Sequence, residues 1–110
     1  MEKVFSAADV AEAAERIRDY VYETPLEQSL YLGDGERKYF FKLECLQTVK
    51  SFKIRGALNK MLTLTDEQRQ KGVVAVSSGN HGASVSYGAK LLGIENAVII
   101  VPETTPKAKT

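Results

Sequence analysis

The sequence predicts an α/β fold organised around a parallel βαβ unit, and three observations carry that expectation. Residues 73–76 (Val-Val-Ala-Val) and 97–101 (Ala-Val-Ile-Ile-Val) are short, continuous apolar runs rich in β-branched side chains, as in strands buried in a parallel sheet. Between them, residues 83–92 place Val85, Ala89 and Leu92 on one side of a helix that Gly93 ends. The whole chain, 110 residues with 44% hydrophobic side chains and 15 basic against 14 acidic groups, has the balance of a globular domain and not of a disordered or fibrous segment.

The elements follow in order. Residues 6–21 put Val10, Ala13, Ala14, Ile17 and Val21 at helical spacing, with Glu12, Glu15, Arg16 and Asp19 largely on the other side. Ser6 with Asp9 three residues on forms a capping pair, and Thr24-Pro25 stops the helix, because the residue before proline is pushed toward extended geometry. Two apolar stretches in residues 30–43 flank Gly33-Asp34-Gly35, and the second carries Tyr39, Phe40 and Phe41, which predicts a β-hairpin. A polar segment, residues 44–50, precedes a helical pattern containing Ile54, Ala57, Leu58, Met61 and Leu62. Thr65 and Gln68 are in capping-box register for a further short helix that Gly72 ends. Strand 73–76 then enters a turn, Ser77-Ser78-Gly79-Asn80-His81-Gly82, before the helix at 83–92 and the last strand.

Composition narrows the function classes. A formal net charge of +1 gives no concentrated basic face, and so no electrostatic reason to expect nucleic acid or an anionic membrane as partner. No apolar run approaches the roughly 20 residues of a membrane-spanning helix, and the opening MEKVFSAADV lacks the apolar core of a secretory signal. A single cysteine, Cys45, excludes an internal disulfide and fits a reducing, cytoplasmic setting; with one histidine it also leaves no cluster for structural zinc. Cys45 itself reads as a small packing residue and not as a nucleophile.

Two places carry candidate chemistry. The turn after the first parallel strand opens a helix, where unsatisfied N–H groups and the helix dipole favour an anion, and its two glycines, two serines, asparagine and histidine suit a carboxylate or phosphate ligand. It matches neither a Walker A loop nor GxGxxG. A capped turn whose Ser and Asn satisfy only backbone groups is the plainer alternative. Lys53, between Phe52 and Ile54 at the predicted start of a helix, sits where apolar neighbours and partial positive charge disfavour the ammonium, as a Schiff-base nucleophile requires; a solvated surface lysine is its plainer alternative. His81 is tempting as an acid or base, but its place between Asn80 and Gly82 favours a backbone role at the anion site.

Taken together, Ser51-Phe52-Lys53-Ile54-Arg55-Gly56-Ala57 and Ser77-Ser78-Gly79-Asn80-His81-Gly82 resemble the fold-type II pyridoxal-phosphate enzymes, and within them the threonine/serine dehydratase and serine racemase group. The similarity extends through Thr24-Pro25-Leu26, Lys42-Leu43-Glu44, Leu46-Gln47, Val101-Pro102, Pro106 and Lys109. The resemblance implies the three-layer, tryptophan synthase β-like fold, with residues 1–110 forming the N-terminal part of a dehydratase domain that is incomplete here. It implies pyridoxal 5'-phosphate as cofactor, with Lys53 joined to it as a Schiff base, Phe52 beside it and Asn80 bonded to its ring hydroxyl. Ser77, Ser78, Gly79, Asn80 and His81 would hold the substrate carboxylate, and Ser78 stands where racemase-like members keep a proton-transferring serine.

The activity implied by the resemblance is that of a lyase converting L-threonine or L-serine to a 2-oxo acid and ammonia, with Lys53 as the base at Cα, in a cytoplasmic enzyme expected to be a homo-oligomer when complete. Many members carry Thr-Gly where this chain has Val49-Lys50, a variant closer to the Val-Arg of some bacterial threonine dehydratases. The phosphate-gripping glycine-rich loop of the family lies beyond Thr110, so the 110 residues alone are expected to be inactive. Two other readings stand beside this one: a serine racemase or β-replacing synthase using the same lysine, and a non-catalytic fragment that acts through association of its uncovered apolar faces.

Overall fold

The computed structural model describes residues 4–107, in the order α1 (Ala7–Ile17), β1 (Leu26–Gly33), β2 (Lys38–Lys42), α2 (Lys53–Leu62), α3 (Asp66–Lys71), β3 (Val73–Val76), α4 (Asn80–Leu91) and β4 (Ala97–Ile100). Lys109, one of the positions carrying the resemblance, lies outside the described residues. Strands β3 and β4 pair in parallel with Val73 opposite Ala97 and Val76 opposite Ile100, and α4 is their crossover, so the βαβ unit stands as expected. Strands β1 and β2 form a separate antiparallel hairpin.

Local chemistry sets most boundaries. At α1 the Ser6 hydroxyl accepts from Asp9 N–H while the Asp9 carboxylate accepts from Ser6 N–H, a complete capping box. The α-helical part ends at Ile17, and a single 3-10 turn, Arg18–Tyr20, carries the chain toward the predicted stop. Thr65 and Gln68 cap α3 in the same reciprocal way, and the helix ends at Gly72. In the hairpin, the Asp34 carboxylate accepts from the N–H groups of Glu36 and Arg37 at 2.9 and 2.8 Å, which closes the turn and lowers the carboxyl pKa. Strand β1 begins at Leu26, four residues before the apolar stretch that predicted it. Its register shifts between Gln28 and Gly33, where the Ser29 hydroxyl accepts from Tyr31 and Leu32 N–H.

The core lies between α2 and α4. Ile54 and Leu58 are fully buried with Ile17 of α1 against them, and Ala57, Met61, Val85, Ala89 and Ile94 form the adjoining cluster over the inner face of β3 and β4. Each large side chain so buried contributes about 1.5–3 kcal/mol. Gly88 sets the helix spacing, because a Cβ at that position would run into Met61 and Leu58. Arg16 donates to the Asn59 side-chain carbonyl at 2.7 Å and ties α1 to α2.

Four expectations are corrected here. Helix α4 starts at Asn80, not at 83, because Ser77 caps it from upstream, as described below. Strands β3 and β4 are buried on one face only: Val73, Ala75, Ala97 and Ile99 pack inward, whereas Val74 and Val76 are 67% and 72% exposed, with nothing in residues 4–107 lying over them. Cys45 is exposed and so packs nothing, and Val10 is likewise on the solvent side of α1, since only the Ile17 end of that helix reaches α2.

Candidate active site

The site residues converge because α2 and α4 run in the same direction. Gly88 of α4 meets Met61 of α2, and Leu92 past the end of α4 packs, like Leu62, on the Ile17, Ile54 and Leu58 cluster, while His81 and Val85 share a cavity of about 440 Å³ with Gly56, Ala57 and Met61 of α2. Eight residues before Gly88 is Asn80, and eight before Met61 is Lys53. At a rise of about 1.5 Å per residue, the two helix N-termini stand level, at one end of the pair. The turn lies at the carboxyl end of β3, as the α/β pattern predicts.

The turn is built around Ser77. Its N–H donates to Ile100 C=O at 2.9 Å, extending the parallel ladder by one residue, and its hydroxyl accepts from Gly79 N–H at 3.2 Å and Gly82 N–H at 2.9 Å. The N-cap position, Gly79, has no side chain to offer, so Ser77 replaces it from two residues upstream. This is why residues 80–82 are helical and not part of the turn. Gly82 packs closely there, its α-carbon leaving room for Ile99 Cγ2 only about 3 Å from where a Cβ would stand. The N–H groups of Ser78, Asn80 and His81 have no acceptor among the described residues, and all three side chains are exposed. Three free donors at the positive end of a helix make a receptor for a carboxylate or other anion.

Lys53 is the first residue of α2 and its side chain is exposed, with the ammonium 5.2 Å from the Phe52 ring centroid. Its backbone N–H donates to Ser51 Oγ at 3.2 Å, and Ser51 is buried. Lys50, at the position where many fold-type II members carry glycine, has φ 61°, in the left-handed region that glycine enters freely and lysine does not. Lys53 does not line the 440 Å³ cavity, and the loop residues Ser77 and Gly79 line a different one, of about 360 Å³, with Gly82, Ile99 and Val101. The lysine and the loop thus stand at the starts of the two packed helices, and neither of these cavities is lined by both.

Behind Lys53 lies a polar cluster that reading the sequence did not single out. The Arg55 guanidinium holds the Glu44 carboxylate through Nε at 3.0 Å and Nη2 at 2.7 Å, and Nη2 also donates to Tyr22 C=O. Thr24 Oγ1 donates to the same carboxylate at 2.7 Å. The Arg55 hydrogen bonds bring the Glu44 pKa down to about 2, and the Arg55 pKa rises in turn. Gln47, fully buried, accepts from Tyr22 N–H and donates to Tyr22 C=O, both at 2.9 Å. The partners are 11 to 33 residues apart in sequence, so no local pattern announces them.

An exposed primary amine, a level helix N-terminus with three free N–H groups and an exposed Asn80 amide are the donor set that an aldehyde carrying anionic substituents would need. The sequence profile of the pyridoxal-phosphate dependent enzyme family matches residues 17–110. The chain belongs to that family. Its cofactor is accordingly pyridoxal phosphate, and the exposed Lys53 amine has the chemistry to hold its aldehyde.

Within the family, the chain is 48% identical over 108 residues to the catabolic L-threonine dehydratase TdcB of Staphylococcus aureus strain USA300, covering 96% of this chain and 31% of that one. Maize serine racemase superposes with a TM-score of 0.87 at 45% identity, over 97% of this chain and 32% of the racemase. The processed form of threonine deaminase isoform 2 from Solanum lycopersicum superposes at 0.79 with 33% identity, over 99% of this chain and 31% of the deaminase. The chain therefore spans about a third of the length of these relatives, and the fold-type II assignment holds over that portion. No helix among the described residues is long and apolar enough to cross a membrane, and no group of three metal-ligating side chains occurs among them.

Proposed function

We propose that these residues are the lysine-bearing portion of a pyridoxal-phosphate-dependent ammonia-lyase acting on L-threonine and L-serine. The observation that supports the reading is an exposed Lys53 at the first position of α2 together with the free N–H groups of Ser78, Asn80 and His81 at the start of α4. Pyridoxal phosphate, when bound, supplies a carbonyl for the lysine and an electron sink for charge developing at the substrate Cα. Lys53 Nζ would hold the cofactor and would serve as general base for the Cα proton. The N–H groups of Ser78, Asn80 and His81 would bind the substrate carboxylate, and the Asn80 amide would be the donor for the cofactor ring. Ser77 takes part through the loop it folds, its hydroxyl being engaged by Gly79 and Gly82. Loss of the β-hydroxyl and hydrolysis then release a 2-oxo acid and ammonia.

A second reading, racemisation of serine, is favoured by one observation: Ser78 is exposed in this loop, and in racemase-like members a serine there would give or take the proton. A serine racemase superposes over the chain as a threonine deaminase does, while the 48% identity to a threonine dehydratase favours the lyase. The small hydroxy-amino acid substrate, a cytoplasmic setting suited to an exposed, unpaired Cys45, and homo-oligomeric assembly belong to the same proposal.

The test is product analysis of an enzyme carrying this portion, incubated with pyridoxal phosphate and each amino acid. The 2-oxo acid with stoichiometric ammonia from L-threonine supports the lyase, and D-serine without ammonia supports the racemase. Turnover that survives Lys53→Ala contradicts both.

A further inference from the structure

We infer that Glu44 and Arg55 form a clamp whose task is to position Lys53, holding the first turn of α2 in the one orientation from which the amine can be used. The inference rests on the reading of Lys53 as the cofactor lysine and adds the residues that aim it.

Helix α2 begins with a single local side-chain bond, from Lys53 N–H to Ser51 Oγ at 3.2 Å. Its N-cap is Phe52, which has no side-chain oxygen, and no acidic residue lies in its first turn. The ten residues before Lys53 contain one 3-10 turn, Glu44–Leu46, and no other regular element. They include Lys50 with φ 61°, a conformation costing a lysine about 1 kcal/mol or more unless its surroundings enforce it. A helix start so approached would fray or reorient if only local bonds held it.

What holds it is tertiary. Arg55 lies two residues after Lys53, and at about 100° per residue its side chain leaves the helix on the side away from the lysine. There it grips both oxygens of Glu44, with the third donation going to Tyr22 C=O. Glu44 is held in turn by Thr24 Oγ1, Thr24 C=O accepts from Lys42 Nζ at 2.6 Å, and Gln47 fastens Tyr22 from both sides. Three separate stretches of chain, residues 22–24, 42–47 and the first turn of α2, are thereby fixed to one another by the Glu44–Arg55 pair. A planar, two-point contact resists rotation as well as displacement, which a single ammonium–carboxylate contact does not. Lys53, whose own side chain meets only the exposed Phe52 ring, takes its direction from that frame.

The experiment labels the full chain with pyridoxal phosphate, traps with borohydride at a series of times, and maps adducts by peptide mass spectrometry. Hydrogen exchange at the Lys53 and Arg55 amides, both of which are bonded at the start of α2, is followed in parallel. Arg55→Gln and the milder Arg55→Lys are compared with Asn59→Ala, which loosens α2 at its other end by removing the Arg16 contact. The clamp predicts that trapping at Lys53 slows by about tenfold or more in Arg55→Gln, with an intermediate rate in Arg55→Lys and faster exchange of the Lys53 amide. Asn59→Ala, matched for loss of unfolding stability, keeps the wild-type trapping rate at Lys53. Trapping that falls in proportion to stability in all three variants, or that is unchanged in a folded Arg55→Lys or Arg55→Gln, overturns the clamp. A wild-type chain that traps no faster at Lys53 than at Lys60 or Lys90 overturns the reading of the lysine instead, and Lys53 exchange unaltered by Arg55→Gln would then overturn the clamp as well.

Discussion

The two helices that carry the site and the sheet beneath them are finished to different degrees. Along the α2–α4 seam, Ile54, Leu58, Ala57, Met61, Val85 and Ala89 are buried and Gly88 lets the backbones close on each other. On the far side of the sheet, Val74 faces Val98 and Val76 faces Ile100 across the parallel ladder, all four large side chains exposed. The seam is complete within 110 residues, and the sheet is covered on one face alone. The difference shows where this portion of the family fold packs its core: between the two helices that carry Lys53 and the turn, and over one face of the sheet.

That contrast can be broken at several points. Leu58→Ala, in the fully buried seam, is expected to cost about 2–5 kcal/mol of unfolding free energy in urea melts. Gly88→Val pushes a side chain into Met61 and is expected to cost about 1–3 kcal/mol or more, with a loss of Lys53 trapping as the helices separate. Glu44→Gln, which leaves Arg55 facing a neutral amide, is expected to cost about 1–2 kcal/mol. The smallest effect is expected on the open face, where Val74→Thr changes stability by no more than about 0.5 kcal/mol and lessens any self-association seen by ultracentrifugation.

Acid sharpens the same comparison. The Glu44 carboxyl has a pKa of about 2 in the folded chain against an ordinary value of 4.5, the cause being chiefly its bonds from Arg55. Because the folded value is depressed, the carboxylate's contribution to stability is fully present above the ordinary value and is lost as pH falls from there through about 2. Groups facing it are Arg55, Thr24 and Gln47, with Lys42 reaching Thr24 next to it. Melts at stepped pH should show this acid-dependent loss in wild type and a smaller one in Glu44→Gln; equal slopes would contradict the assignment.

The legible features are those whose causes are local. The capping boxes at Ser6 and Thr65, the ends at Gly72 and Gly93, the hairpin turn at Asp34 and the parallel pair each depend on residues within a few positions or on a simple apolar run. The SSGNHG segment is legible as a strand-to-helix turn, but its two glycines conceal that Ser77 caps α4 from upstream and starts it at Asn80. The clamp is out of reach, because Tyr22, Glu44, Gln47 and Arg55 meet only after three stretches of chain have folded together. The exposure of Val74, Val76 and Cys45 escapes the sequence for a related reason: burial of a strand or a thiol depends on what lies over it, and a local pattern does not state that.

The most direct measurement of the central claim is the distribution of borohydride-trapped pyridoxal phosphate over the lysines of the wild-type chain, mapped peptide by peptide after desalting. The account predicts that the adduct concentrates on Lys53 and that Lys53→Ala leaves only the slow background shared by the other exposed lysines. Adduct spread evenly over Lys53, Lys60 and Lys90, and undiminished by Lys53→Ala, would contradict it.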